Sequence, residues 1–168
     1  MLVLVSDASI LIELSKWEIL VEMFNLPYGF VVPDALFEEE LIDLGLTTRS
    51  DLRNLGLQVE ELNEDGVKQA VFYRQTNPRL SLNDCFAISL AKDNSWPLIT
   101  GDKRMKAFAL TQEIQTYGCL WVIDELIEHN IIDVTRVLSV LKGMLVDETT
   151  RIPHAEINKR ILSLSGLE

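Results

Sequence analysis

Histidine is nearly absent. The chain carries only His129 and His154, and neither stands beside a segment that reads as a strand end. A serine or cysteine nucleophile would therefore lack the imidazole that activates it. Cysteine is as scarce: Cys85 and Cys119 sit in apolar segments without metal-ligand spacing and read as reduced core thiols of an intracellular protein. No apolar run approaches the ~20 residues needed to cross a bilayer. The first residues have no basic stretch and their apolar run breaks at Asp7, so they are expected to open the fold rather than to form a signal peptide, and the expected location is the cytoplasm. Bases are rare where acids are dense. Residues 1–66 hold 14 acids and 3 bases, whereas residues 67–168 hold 12 of each, so the net charge of −11 arises entirely in the first part. An acidic chain is a poor prior for nucleic-acid binding. A local basic rim weakens that objection: within 67–106, Lys68, Arg74, Arg79, Lys92, Lys103, Arg104 and Lys106 face only Asp84, Asp93 and Asp102.

What is present suits one globular core: 168 residues, 48% hydrophobic and 24% charged. Residues 2–6 are a continuous apolar run of the kind that forms a buried parallel strand. A helix is expected over 10–24, a short strand over 30–32, and a helix over 34–44 that begins after Pro33 and ends at Gly45. A short helix over 48–55 is stopped by Gly56. An edge strand is expected over 57–62, then a helix over 64–75 capped by Asn63, with Val67, Ala70, Val71 and Arg74 on one face. Ser81 reads as the N-cap of an apolar helix, with the acid Asp84 three residues on. Leu98, Ile99 and Thr100 form a short strand that ends in Gly101 and Asp102. A helix over 103–111, a strand over 114–117 and a helix over 118–129 follow. Helices over 133–146 and 155–164 carry apolar stripes that must bury against something, which predicts a homodimer. The alternation predicts an α/β fold, a three-layer α/β/α arrangement with a parallel sheet of four or five strands. A core domain over 1–130 and a C-terminal helical hairpin over 131–168 packed on it are expected.

In such a sheet the ligand crevice lies outside the carboxyl ends of the strands. Asp7 follows the first strand, Glu38, Glu39 and Glu40 lie on the helix after the second, Asp84 begins a buried helix, and Asp102 follows a late strand. Carboxylates gathered at one edge repel and raise one another's pKa values. A divalent cation resolves that conflict: Mg²⁺ prefers oxygen ligands, keeps several waters and needs only one or two direct carboxylates. The chemistry this suits is phosphodiester hydrolysis without a protein nucleophile. Each residue also has a plainer reading. Asp84 can be a capping acid, Asp7 a helix cap, Asp102 a turn residue, the three glutamates a solvated face, and Lys103, Arg104 and Lys106 a solvated helix start.

The chain resembles the PIN-domain ribonucleases, especially the VapC-like branch, over roughly residues 2–123. The resemblance rests on Val5-Ser6-Asp7-Ala8-Ser9 followed by Ile10-Leu11-Ile12, on Val32-Pro33-Asp34-Ala35-Leu36-Phe37-Glu38-Glu39, on Leu82-Asn83-Asp84 before an apolar helix, and on Leu98-Ile99-Thr100-Gly101-Asp102. It implies an endoribonuclease that cleaves single-stranded RNA with Mg²⁺ or Mn²⁺, the metal being held by the catalytic acids Asp7, Glu39, Asp84 and Asp102. Ser9 matches a small hydroxyl that supports the first acid, and Glu40 stands as a possible second support. Arg79, Lys103 and Arg104 are candidate RNA-phosphate contacts. A toxin's role, with an antitoxin protein as partner, is the finer expectation. The alternative is a catalytically silent scaffold that binds protein through its helical tail. Three glutamates stand where the family pattern has one, and the tail after about residue 130 lies outside the pattern.

Overall fold

A computed structural model describes residues 1–42, 44–45 and 47–166. The elements are β1 (Leu2–Ser6), α1 (Ala8–Lys16), α2 (Leu20–Met23), β2 (Tyr28–Pro33), α3 (Asp34–Glu39), α4 (Arg49–Leu55), β3 (Gln58–Glu60), α5 (Glu64–Thr76), α6 (Leu82–Asn94), β4 (Leu98–Ile99), α7 (Lys103–Thr111), β5 (Thr116–Tyr117), α8 (Cys119–Glu128), α9 (Val134–Val146) and α10 (His154–Leu164). They fall into two compact units, Met1–Cys119 and Leu120–Glu168.

In the first unit five strands form one sheet in the order β3-β2-β1-β4-β5, and every pair is parallel. Helices flank it, giving a three-layer α/β/α fold. Leu4, Val5, Phe30, Val31, Val32, Leu98 and Ile99 are all buried, as expected when helices cover both faces of a parallel sheet. From β1 the chain winds outward to β2 and β3, then returns to the other side of β1 for β4. The winding therefore reverses between β1 and β4. That switch point is where an open α/β sheet leaves a crevice at its carboxyl edge.

Three expected helices differ. The helix expected over 10–24 is broken into α1 and α2, because Glu18 adopts a left-handed φ of 57° and the Ile19 N–H bonds back to the Leu14 carbonyl. The helix after Pro33 ends at Glu39 rather than near Leu44, and Pro33 itself closes β2. The Arg49 guanidinium accounts for this end: it donates to the Glu38 and Leu41 carbonyls, acceptors that a helix end leaves open. The expected span crosses Asp43, which lies outside the described residues. On α5 the buried side is Gly66, Ala70 and Tyr73, while Val67 and Val71 are exposed.

Other boundaries follow their caps. Thr48 and Asp51 form a capping box at the start of α4, and Gly56 ends it at φ 112°, a conformation only glycine takes without strain. Asn63 caps α5 by accepting the Gly66 N–H. In the second unit α9 and α10 pack on each other, with Val137, Val140, Leu141, Met144 and Ile157 buried. Arg160 grips Asp124 through two nitrogens, at 2.8 and 2.7 Å. Of the stripes that suggested a second copy, Val134, Val146 and Leu162 remain exposed.

Candidate active site

Asp7 directly follows β1 at the switch point, at the N-cap position of α1. It is 4% exposed, which is rare for a carboxylate without a partner. Its partners are hydroxyls: Ser9 Oγ donates to Oδ2 at 2.6 Å and Thr100 Oγ1 donates to the same oxygen at 3.0 Å. Both hydroxyls also hold the loop after β4. Ser9 Oγ accepts the Gly101 N–H at 3.2 Å, and Thr100 Oγ1 accepts the Asp102 N–H at 3.0 Å. The Asp7 N–H itself donates to the Ile99 carbonyl at 2.9 Å. The two strands at the switch point are thus stitched together beyond their last ladder bonds. Buried polar side chains concentrate here: Ser6, Asp7, Asn83 and Thr100, with only Ser89 elsewhere among those described.

Asp84 enters from α6. Ser81 and Asp84 form a full capping box, in which Ser81 Oγ accepts the Asp84 N–H and Asp84 Oδ2 accepts the Ser81 N–H at 2.7 Å. Asp102 caps α7 in a similar way, its Oδ1 accepting the Arg104 and Met105 N–H groups. The capping reading of Asp84 therefore holds for one oxygen, and Asp102, whose plainer reading is a turn residue, is a helix N-cap through one of its own. The second oxygen of each has no hydrogen-bond partner among the described residues. The glutamate run is sorted by geometry. Glu38 turns outward to an ion pair with Arg49 at 3.4 Å. Glu39 Oε2 and Glu40 Oε1 instead share the Asn83 side-chain amide, at 2.9 and 3.1 Å.

The electrostatics separate the members. Burial raises the Asp7 pKa above its ordinary value against the opposing hydrogen bonds from Ser9, Thr100 and the Ala8 backbone, and the Asp84 charge adds to the rise. Burial likewise raises Glu40, and its charged neighbours Asp7, Asp84 and Glu39 are all carboxylates. Asp84 thus acts on Asp7, and Asp7, Asp84 and Glu39 act on Glu40. Asp102 is linked to Asp7 through its backbone N–H, which donates to the Thr100 hydroxyl that in turn donates to Asp7 Oδ2. Arg79, Lys103 and Arg104 are exposed. Thr100 and Asn83 were missed as site residues in the sequence. Thr100 carries a faint signal as a polar residue ending an apolar strand, whereas Asn83 carries none that distinguishes it from any residue in a first helical turn.

Raised carboxyl pKa values fix the sign of a pH effect. The folded, metal-free chain keeps protons on Asp7 and Glu40 at pH values where the unfolded chain has released them. Stability should therefore fall as pH rises from the ordinary carboxyl range through the raised values. The lowered Asp51 pKa, caused by hydrogen bonds from the Thr48 backbone and side chain, acts in the opposite sense but below that range. Urea midpoints of chelator-treated protein should fall with pH above it, and Asp7→Asn should flatten the fall. A wild-type midpoint that does not fall across this window would refute the coupling.

The donor set is hard oxygen. Among the described residues no three histidine, cysteine or acidic side chains are close enough to form a ready-made cage for an ion. An oxygen-seeking, largely hydrated cation fits instead, since it takes only one or two carboxylates directly, and several acids here have an oxygen to offer.

A family model described as "DUF3368: PIN domain" matches residues 3–166. The match runs through the C-terminal helices, beyond the stretch in which the motifs lie. A solved structure of a PilT N-terminus domain protein from the hyperthermophilic archaeon Sulfolobus solfataricus P2 is similar at a TM-score of 0.52 and 17% identity, over 76% of this chain and 96% of the other. At that identity the likeness concerns the fold. No curated protein matches the chain.

Proposed function

We propose that this chain, which belongs to the PIN-domain family, is a metal-dependent endoribonuclease that cleaves single-stranded RNA. The observation that carries this reading is the buried Asp7 carboxylate at the sheet's switch point, facing other carboxylates rather than a base. Asp7, Asp84 and the Glu39–Glu40 pair are the residues that would hold Mg²⁺ or Mn²⁺, with Asp102 at the margin. When bound, such an ion lowers the pKa of water and offsets charge on the scissile phosphate. The protein's part is positioning. Ser9 and Thr100 fix one oxygen of Asp7, and Ser81 fixes one oxygen of Asp84. The hydroxyls favour the ionised form of Asp7 while burial opposes it, so the carboxylate is oriented but under-neutralised.

An acidic chain also needs a way to hold RNA. Lys103 and Arg104 follow Asp102 directly, and Arg79 precedes the α6 cap. They grip phosphates without reading sequence. Replacing Lys103 and Arg104 together by Ala should weaken RNA binding and reduce the slope of log affinity against log salt by about 1.4, since each lost contact to a single strand removes ~0.7. Stability should be nearly unchanged, because both side chains are exposed. A double variant with the wild-type slope would show that these bases are only a solvated helix start.

The direct test is incubation of purified protein with a labelled single-stranded RNA, with Mn²⁺ or with chelator. Cleavage that needs the metal and is lost in Asp84→Asn supports the reading, and cleavage that survives chelator sinks it. A toxin's role would add an antitoxin partner. Its mark would be a protein that, co-expressed from a neighbouring reading frame, co-purifies with the chain and suppresses this cleavage.

A further inference from the structure

We infer that Asn83 is a positioning residue that forces Glu39 and Glu40 to act as a pair, an inference that rests on the metal-site reading above. Neighbouring residues on an α-helix diverge by about 100°, so two consecutive glutamates do not ordinarily meet the same donor. Here they do: Glu39 ends α3 and Glu40 is its C-cap, still right-handed at φ −109° and ψ −29° with its N–H on the Leu36 carbonyl, so the two side chains must turn from their helical directions to reach one amide. The Asn83 amide, itself 8% exposed, bridges them at 2.9 and 3.1 Å from the first turn of α6, 44 and 43 residues away in sequence.

The side-chain type matters. A primary amide has two N–H donors and no charge. It can hold two mutually repelling carboxylates, one on each hydrogen, and leave their negative charge uncancelled. A lysine in its place would neutralise the pair and take the position of a cation. An aspartate would add a third acceptor and a further charge. An amide fixes the geometry and leaves the charge available. Each glutamate uses one oxygen on the amide, and its other oxygen has no partner among the described residues. Asn83 also directly precedes Asp84, so the same turn of helix delivers one acid and orients two more.

The test uses the full-length chain and Mn²⁺ alone, followed by calorimetry. Asn83→Leu removes both donors, Asn83→Ser keeps one, and Glu38→Gln is the control, since Glu38 faces Arg49 instead. Hydrogen-bonding partners of metal ligands typically contribute 10–100-fold to affinity. Asn83→Leu should weaken Mn²⁺ binding by that order, Asn83→Ser by less, and Glu38→Gln not at all. RNA turnover should fall in the same order with KM for RNA unchanged. In the metal-free wild type the two side-chain amide protons of Asn83 should exchange slowly in NMR spectra, and should lose that protection when Glu39 and Glu40 are both replaced by Gln. If Asn83→Leu does not fold, Asn83→Ser carries the comparison. A folded variant that binds Mn²⁺ as tightly as the wild type overturns the role of Asn83 alone. A wild type that binds no Mn²⁺ removes both this role and the nuclease reading.

Discussion

Asp7→Asn should abolish RNA cleavage and at the same time make the metal-free protein more heat-stable. The two effects share one cause. Asp7 Oδ2 takes both hydroxyl hydrogen bonds, from Ser9 and Thr100. An asparagine can keep both by placing its carbonyl oxygen there. Its NH₂ then replaces the other carboxylate oxygen, so a buried charge becomes a neutral donor among the acids Asp84 and Glu40. The burial cost and the repulsion that hold the Asp7 pKa up both disappear. Single stabilising substitutions commonly add about 0.5–2 kcal/mol, which for a chain of this size is about 1–8 °C in melting temperature. Turnover should fall by about 10²–10³-fold or more, the loss typical when one preorganised electrostatic group is removed from an active site. Metal-dependent cleavage and a melt of chelator-treated protein read the two effects separately. A variant that melts lower and still cleaves would mean Asp7 only ties the ends of β1 and β4 together through the Ser9 and Thr100 hydroxyls, since its side chain makes no helix-capping bond.

The part of the molecule that was readable in sequence is the part governed by local rules. The apolar run at 2–6 became β1, Asn63 and Ser81 capped the helices they precede, and Gly56 ended the helix before it. Each outcome depends on residues within a few positions. The unread features depend on residues far apart. Nothing near Glu18 announces a left-handed break, since the residue is not glycine and the apolar spacing runs on through it. The end of α3 is set by Arg49, ten residues past Glu39. The choice among Glu38, Glu39 and Glu40 was open because helical spacing ranks faces, and what sorts them is an amide arriving from α6 on one side and a guanidinium from α4 on the other. For Asp84 the capping and ligand readings looked like rivals in sequence, as did the turn and ligand readings of Asp102. In the structure a carboxylate has two oxygens, and capping occupies one.

Saturating Mn²⁺ should raise the melting temperature sharply, and the rise should depend on pH in a definite direction. A ligand that binds only the folded state stabilises it by about 2.7 kcal/mol at a hundred times its dissociation constant. For a chain of this size that is about 8 °C. Binding requires ionised carboxylates, so protons compete with the metal. Because the Asp7 and Glu40 pKa values are raised, the competition persists above the ordinary carboxyl range. The metal-induced shift should accordingly be small in mild acid and grow as pH climbs through the raised values. Over the same window the metal-free protein loses stability, so the two melting curves should diverge. Asp7→Asn should melt at nearly one temperature with and without the metal at every pH. Paired melts in Mn²⁺ and in chelator, taken across pH for the wild type and this variant, test all of this in one plate. A wild type whose melting temperature ignores millimolar Mn²⁺ at neutral pH does not use these carboxylates to hold a cation, and its acids would then serve as caps and hydrogen-bond acceptors alone.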